Sequence, residues 1–468
     1  MRWVRGRRLF TDSDCGGEIM AAKNRSKKPG LVLDGISRIA VSGFKSIAEE
    51  QSIEVRPLTI LAGANSSGKS SIMQPLLLLK QTLEASYDPG ALLLDGPNLK
   101  FTSYDQFLSR TGKGPRSDEL HLTLGVGPHL VLRINFRKVP EKGLDVSEMS
   151  FSSTKGKISL RSGMTHDEIV SVLPPPWNDV LEKVEQDSKR RLEWVIERER
   201  CFLVLRATET GKRKRVMFYP SWPTSIFEPH VRNVIHLPGL RGNPERTYPL
   251  SGIGSSFPGT FQSYTASVIA GWRKDKNKKK LDMLGEDLEK LGLTWKVRAN
   301  PIDDTRVELK VGRLPHPLRA GAQDLVSIAD VGFGVSQSLP VLVALHVAER
   351  GQLVYLEQPE IHLHPRAQGA MAEVLADAAI RGVRVVVETH SVLLIRAIQS
   401  LVAEDRLASE KVKLHWFERR HSDGCTQIKS ADLDKAGAFG DWPQDFGEVE
   451  LMAENRYLDA AQSTGRQA

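Results

Sequence analysis

The segment Gly63-Ala-Asn65-Ser66-Ser67-Gly68-Lys69-Ser70 sets two glycines, a lysine and four hydroxyl or amide side chains in the spacing G-x-x-x-x-G-K-S. Small residues let such a loop wrap so that main-chain N–H groups and the first turn of a following helix face an anion. The lysine then reaches β- and γ-phosphates and the Ser70 hydroxyl ligates Mg²⁺. The expected ligands are ATP and Mg²⁺, held by Gly63, Asn65, Ser66, Ser67, Gly68, Lys69, Ser70 and Ser71.

Far along the chain, Leu353-Val-Tyr-Leu-Glu357-Gln358-Pro-Glu360 reads as an apolar strand ending in carboxylates. Open α/β sheets bind ligands beyond the carboxyl ends of their strands, which makes Glu357 the expected Mg²⁺-side acid. Gln358 cannot take a proton, although a glutamine can orient an attacking water. Glu360 and Glu388 are the other carboxylates available to serve as base. A second strand, Val383 to Val387, ends in Glu388-Thr-His390-Ser391 and puts His390 at the same edge, where it can sense a γ-phosphate. The expected catalytic set is therefore Glu357, Gln358, Glu360 and His390, with Gln106 as a further candidate for contact with the metal.

These motifs need a particular scaffold. Two β-rich stretches, Ile39–Phe44 and Ile53–Leu61, precede the loop, and a helix from Lys69 through Leu83 follows it, with a bend expected at Pro75. Alternation from Leu120 to Val139 predicts antiparallel strands. A charged helix is predicted over Asn178 to about Arg200, strands over Phe202–Tyr219, and another helix across Arg273–Lys280. From Thr305 the order is strand, helix (Ser336–Arg350), strand, helix (Arg366–Ala379), strand, which implies a parallel sheet. The division this suggests is a basic tail (1–30), an N-terminal lobe (31–140), an inserted region (141–304), a C-terminal lobe (305–400) and a small C-terminal domain (401–468).

Hydrophobic residues make up 40% and charged residues 26%, ordinary usage for a chain that packs a core. The net charge of +8 says little about partners, because residues 1–30 hold eight Lys/Arg against three Asp/Glu. Only a local cluster argues for nucleic acid, and Arg273–Lys280 has six basic residues in eight positions. It suits a phosphate backbone, or else a solvated face. Three scattered cysteines give neither a disulfide framework nor zinc spacing, and no apolar run approaches the ~20 residues of a membrane helix. A cytoplasmic protein is expected.

Val41-Ser-Gly-Phe-Lys-Ser-Ile47, the phosphate loop, Val331-Gly-Phe-Gly-Val-Ser-Gln337, the Glu357 strand running into Glu360-Ile-His-Leu-His-Pro365, and Glu388-Thr-His-Ser391 occur in this order. In that order the sequence resembles the SMC/RecF-like ABC ATPases. It is similar to a bacterial stand-alone branch, OLD-like and Septu-type, whose C-terminal pattern is like Gly437 to Phe446. The resemblance covers residues 36–110 and 320–450. It implies an α/β P-loop fold of ABC type, with a parallel core sheet, an antiparallel β subdomain and an inserted α/β region. It also implies an ATP-sandwich homodimer in which Gly332, Gly334 and Ser336 act as a signature loop on the partner's nucleotide. Two departures stand out: the loop lacks the Leu-Ser-Gly-Gly-Gln form, and Glu357-Gln358 replaces Asp-Glu, which implies slow hydrolysis. His362 and His364 fall in the loop that contacts the partner in such proteins, so they are not read as metal ligands. The implied function is an ATP-gated clamp or switch acting on DNA or a partner nuclease in phage defence, with RecF-like DNA repair as the alternative.

Overall fold

The structure, a computed structural model, describes residues 35–110, 116–210, 216–218, 223–252, 254, 256–316, 324–440, 452 and 455–458. The basic tail, and Trp442, Pro443 and Phe446 of the C-terminal pattern, lie outside the described residues.

Strands β1 (Ile36–Ser42) and β2 (Gln51–Glu54) pair antiparallel, β3 (Leu58–Gly63) runs into the phosphate loop, and α1 (Lys69–Glu84) leaves it. Pro75 lies inside α1 without ending it. A meander follows: β4 (Glu119–Val126), β5 (Leu130–Val139), β6 (Gly143–Ser153) and β7 (Gly156–Arg161). With β1 and β2 these make one six-stranded antiparallel sheet, ordered β2-β1-β4-β5-β6-β7. Period-two patterning turns Leu132, Ile134 and Phe136 of β5 into a core shared with Leu76–Leu79 of α1. The boundary expected at residue 140 is thereby corrected: it falls in the turn between β5 and β6, whose ladder runs from Val131↔Ser152 to Val139↔Gly143. Residues 141–161 complete the first lobe.

Next come α2 (His166–Val172), α3 (Pro175–Ser188), β8 (Leu192–Glu199), β9 (Phe202–Glu209) and β10 (Val216–Phe218), with a small core of their own around Ile169, Leu181, Leu192 and Trp194. The helix expected over 178–200 is only half right. It stops at Ser188, Lys189 turns left-handed at φ 53°, and Leu192 and Trp194 alternate inward as a strand.

The chain continues through α4 (Thr224–Arg232), β11 (Ile235–Leu237), β12 (Tyr248–Pro249), α5 (Thr265–Lys274), α6 (Lys278–Lys290), β13 (Val297–Pro301), β14 (Arg306–Gly312) and β15 (Leu325–Ser327). Strands β12 to β15 form a further antiparallel sheet, centred on β14, after the three-stranded one of β8, β9 and β10. The basic run is not one helix. Lys276 adopts φ 54°, and the Asn277 side chain caps α6 by accepting from the Lys280 N–H.

Finally α7 (Phe333–Val347), β16 (Leu353–Glu357), α8 (Pro365–Ile380), β17 (Arg384–Glu388), α9 (Val392–Ala403), β18 (Val412–Arg419) and β19 (Thr426–Ala431) build the core sheet, ordered β11-β16-β17-β3-β18-β19. All neighbours in it are parallel except β18 and β19. Its strands are buried on both faces: Leu58, Ile60, Val385 and Val387 join the core on one side, and Leu61, Val386 and Tyr355 join that on the other. Two expected boundaries shift here. β11 of the supposed insert is an edge strand of the core sheet, and the described part of 401–468 supplies β18 and β19, so neither segment stands apart.

Candidate nucleotide site

Strands β16, β17 and β3 end together, with Glu357 in register with Glu388 and Glu388 in register with Leu61. The phosphate loop opens at this edge. Gly63 has φ 142°, and a Cβ there would stand 2.2 Å from the Phe417 carbonyl; Gly68 has φ 103°, with Thr426 Oγ1 2.3 Å from the position of a Cβ. Both positions need glycine. The loop is braced from outside by the β18–β19 hairpin: Arg419 Nε donates to the Ser66 carbonyl (2.8 Å) and Thr426 Oγ1 to that of Ser67 (2.7 Å). Ser66 takes a left-handed φ of 60°, an arrangement that the Arg419 bond holds.

Lys69 Nζ turns back onto the Gly63 (3.0 Å) and Ala64 (2.8 Å) carbonyls. Burial lowers its pKa and the Glu388 charge opposes this. The N-cap of α1 is Gly68, which offers no side-chain cap, so the first-turn N–H groups of α1 have no capping side chain. Ser70 Oγ donates to Glu388 Oε1 (3.0 Å), and Tyr355 Oη donates to Glu388 Oε2 (2.9 Å). Burial, and then the charge of Glu357, raise the Glu388 pKa. An uncapped helix start, a lysine folded over the loop and a serine–carboxylate pair are a donor set that fits a nucleotide triphosphate and Mg²⁺.

The structure brings Glu388, rather than Glu357, to Ser70. The reason is topological: β17 lies between β16 and β3, so its terminal residue meets the loop first. Glu357 is held on the other side, by His236 Nε2 (3.1 Å) and the Gly239 N–H (3.2 Å). Burial pushes its pKa up, but the His236 and Gly239 bonds more than offset this and leave it below the usual carboxylate range. Gln358 has φ 44° and donates its N–H to the Glu388 carbonyl. Glu360 is buried; its Oε1 accepts from Thr389 Oγ1 (2.5 Å) and the His390 N–H (3.1 Å), tying the two strand ends together. The His390 ring is bonded to the Gly63 main chain beside Lys69; burial, then the Lys69 charge, lower its pKa and keep it neutral at pH 7.

Other expected residues stand elsewhere. Asn65 and Ser66 are exposed at the loop's crest, and Ser71 is buried in the first turn of α1. Gln106 is exposed and spends its carboxamide on Thr102, donating to Oγ1 (2.7 Å) and accepting from the N–H (2.9 Å). Gly332 caps α7; a Cβ on Gly334 would meet Leu293 at 3.1 Å; Ser336 is buried and donates to the Phe333 carbonyl instead of offering its hydroxyl at the tip. The Phe333 ring lies 5.9 Å from that of His362, so the signature loop and the loop after β16 share one surface.

Residues 269–396 match the family described as "AAA domain, putative AbiEii toxin, Type IV TA system". That segment contains the signature loop, the Glu357 strand and the His390 turn. The fold is mixed α/β, a mostly parallel core sheet flanked by antiparallel sheets, with the phosphate loop between β3 and α1. Among solved structures the chain is similar to an Smc head bound to the C-winged helix domain of ScpA, at 14% identity and TM-score 0.44, covering 86% of this chain and 99% of that one. An SMC head domain from Thermotoga maritima matches at 10% identity and TM-score 0.37, over 85% and 100% of the two chains. An Smc head with an extended coiled coil, bound to the C-terminal domain of ScpA and derived from Pyrococcus furiosus, matches at 13% and TM-score 0.41, over 90% and 99%. No curated protein matches the chain. Among the described residues no helix is long and apolar enough to cross a membrane.

Three contributors escaped the sequence reading: His236, Tyr355 and Arg419. Tyr355 sat in plain view inside the acidic strand. The others come from segments whose sheet partners are more than 100 residues away along the chain, and their signal was only a short apolar run before Pro-Gly or the last residue of a late strand.

Proposed function

We propose that this protein is an ATP-gated dimeric switch that hydrolyses slowly and acts on DNA in phage defence. The observation that carries the reading is the line from Lys69 and Ser70 through Glu388 to Tyr355, with His390 on the loop, at the shared edge of three parallel strands. The loop N–H groups and Lys69 bind the triphosphate, while Ser70 and Glu388 hold the metal. Mg²⁺ neutralises charge on the phosphates. Glu360 fixes the turn that carries His390, and the imidazole beside Lys69 can reach a γ-phosphate by turning its N–H from the Gly63 main chain to the phosphate. Gln358 occupies the place of the usual base, which supports slow turnover and a state set by ATP occupancy.

A second copy is the expected lid. Phe333 (51% exposed), Ile361 (45%) and Leu240 (80%) are large apolar side chains left open, and Phe333 and Ile361 flank the signature loop and the loop after β16. Solution scattering is expected to show mass doubling with ATP and Mg²⁺. A mixture of Lys69→Ala and Gly334→Asp chains retains at most one working site. No ATP-induced change in mass would remove the sandwich reading.

For DNA, the support is the α5–α6 junction. Lys274, Lys276, Lys278 and Lys279 are exposed there, whereas Arg273 is drawn onto Ala299 and Asn300, and Lys280 lies over the Trp272 ring (5.3 Å). Lys276 and Lys278 of the junction also line the adjoining groove of ≈ 620 Å³, whose wall sets Lys296 and Arg298 against Asp282, Glu286 and Glu289. Changing Lys276, Lys278 and Lys279 to Glu is expected to weaken duplex binding and to reduce the log–log salt slope by about 0.9 per lost phosphate contact. An unaltered slope, or a parent protein that binds no DNA with ATP, would favour a partner nuclease as the recipient.

A further inference from the structure

Arg241 is buried and sits just after β11, in the loop that closes over Glu357. Its Nη2 donates to the carbonyls of Glu357 (2.7 Å) and Gln358 (3.4 Å), and its Nη1 to that of Gln337 (3.4 Å) in the first turns of α7. Gln337 returns the contact, its Nε2 donating to the Gly242 carbonyl (2.7 Å). A fixed planar fork is what can bridge acceptors on two separate elements at once. Burial lowers the guanidinium pKa to about 10, with Glu360 and Glu357 opposing, so it stays charged at neutral pH.

The latch extends further. Arg241, Gln262 and Thr265 line one cavity of ≈ 40 Å³, and among the described residues their buried Nε, Oε1 and Oγ1 atoms have no hydrogen-bond partner. That space has room for one water, which could accept from Nε and donate to both oxygens. Thr265 is the first residue of α5, whose last turn leads into the exposed lysines.

We propose that Arg241 is a positioning residue that locks the start of α7 to the turn after β16, so that nucleotide occupancy is passed within one chain to the signature loop offered to a second copy. The inference rests on the dimeric reading above. Arg241 touches no residue of the phosphate loop in the contacts described; its partners are the carbonyls at the far side of the acidic strand and on the signature helix. Loss of the bridge therefore separates binding from its consequence.

The test compares Arg241→Gln, Arg241→Lys and Gln337→Ala in the full chain, each checked for an unaltered far-ultraviolet spectrum. A fluorescent ATP analogue is expected to bind Arg241→Gln within about twofold of the parent, while the ATP needed for half-maximal mass doubling rises by at least about tenfold, within the usual span of coupling between sites. Arg241→Lys keeps the charge but not the fork, and is expected to fall between. Adding Gln337→Ala to Arg241→Gln is expected to change nothing more, because both break one latch. Hydrogen exchange of residues 332–337 reads the same coupling without any dimer: ATP slows it in the parent and not in Arg241→Gln. If the parent fails to double in mass but this exchange difference persists, the dimer reading falls and the latch stands. Dimerisation and exchange in Arg241→Gln equal to the parent's would overturn the latch. So would a loss of nucleotide affinity in step with dimerisation, which would make Arg241 part of the nucleotide site, or an Arg241→Lys and Arg241→Gln pair that both unfold.

Discussion

Lys69→Ala is expected to lose ATP affinity by at least about a hundredfold, the scale of a desolvated, charge-assisted contact to phosphate, with little change in fold. The ammonium now donates only to the Gly63 and Ala64 carbonyls, in a loop also braced by Arg419 and Thr426. Two neutral acceptors facing a crevice are readily rehydrated, at a cost of about 1 kcal/mol or less each, so the melting temperature is expected to drop by only a few degrees. Titration calorimetry with a thermal scan decides the matter. Retained affinity would take the lysine out of the site.

Glu388→Gln is expected to remove Mg²⁺-dependent turnover, by about 10²–10³-fold, as when a single preorganised electrostatic group is deleted, while Glu357→Gln loses less. Glutamine preserves the shape between Ser70 and Tyr355 but not the charge. Because burial and the Glu357 charge raise the Glu388 pKa, the ionised form proposed to hold the metal is lost from the metal-free protein on the acid side at a higher pH than for an ordinary carboxylate. Activity should rise with pH through that raised value and level off above it, and the limb should vanish in Glu388→Gln. In Glu357→Gln the hydrogen bond between the carboxylate and His236 is lost or weakened but the Ser70–Glu388 pair remains. A dead Glu357→Gln beside an active Glu388→Gln would return the metal to the β16 acid. Gln358→Glu, which places a proton acceptor beside both, should then show which of the two acids it assists.

What could be read from the residues followed how local the encoding is. Gly63 to Ser70 works through main-chain geometry and one helix start, so the motif and the α1 that follows it were legible in eight letters. The strands ending in Glu357 and Glu388 announced themselves as short apolar runs cut off by charge. What the letters did not carry was strand order. Both acids end strands, and only the placing of β17 next to β3 decides which of them meets Ser70. The same limit hid β11: three residues, Ile235–Leu237, become core only because β16 is there to pair with. The helix expected across 178–200 failed for another reason. Its charges suit a helix as well as a strand, and the inward alternation of Leu192 and Trp194 is too short to outweigh them until α2 and β9 supply a face to bury against. For Ser336, position along α7 predicted a place near the signature loop but not a hydroxyl turned inward to its own helix.

The core sheet is also arranged in time. Strand β3 is made more than 300 residues before its neighbours β17 and β18, and the loop between Gly63 and Lys69 is shaped by Phe417, Arg419 and Thr426. At roughly 5–20 residues per second during synthesis, β3 waits tens of seconds for the strands that flank it. Pairings between such distant segments are also slow to form even in a finished chain. Until residues 412–431 emerge, Gly63 has no Phe417 to pack against and the Ser66 turn has no Arg419 to hold it. A nascent chain thus lacks the braces of its nucleotide loop until nearly all of the described protein has been made.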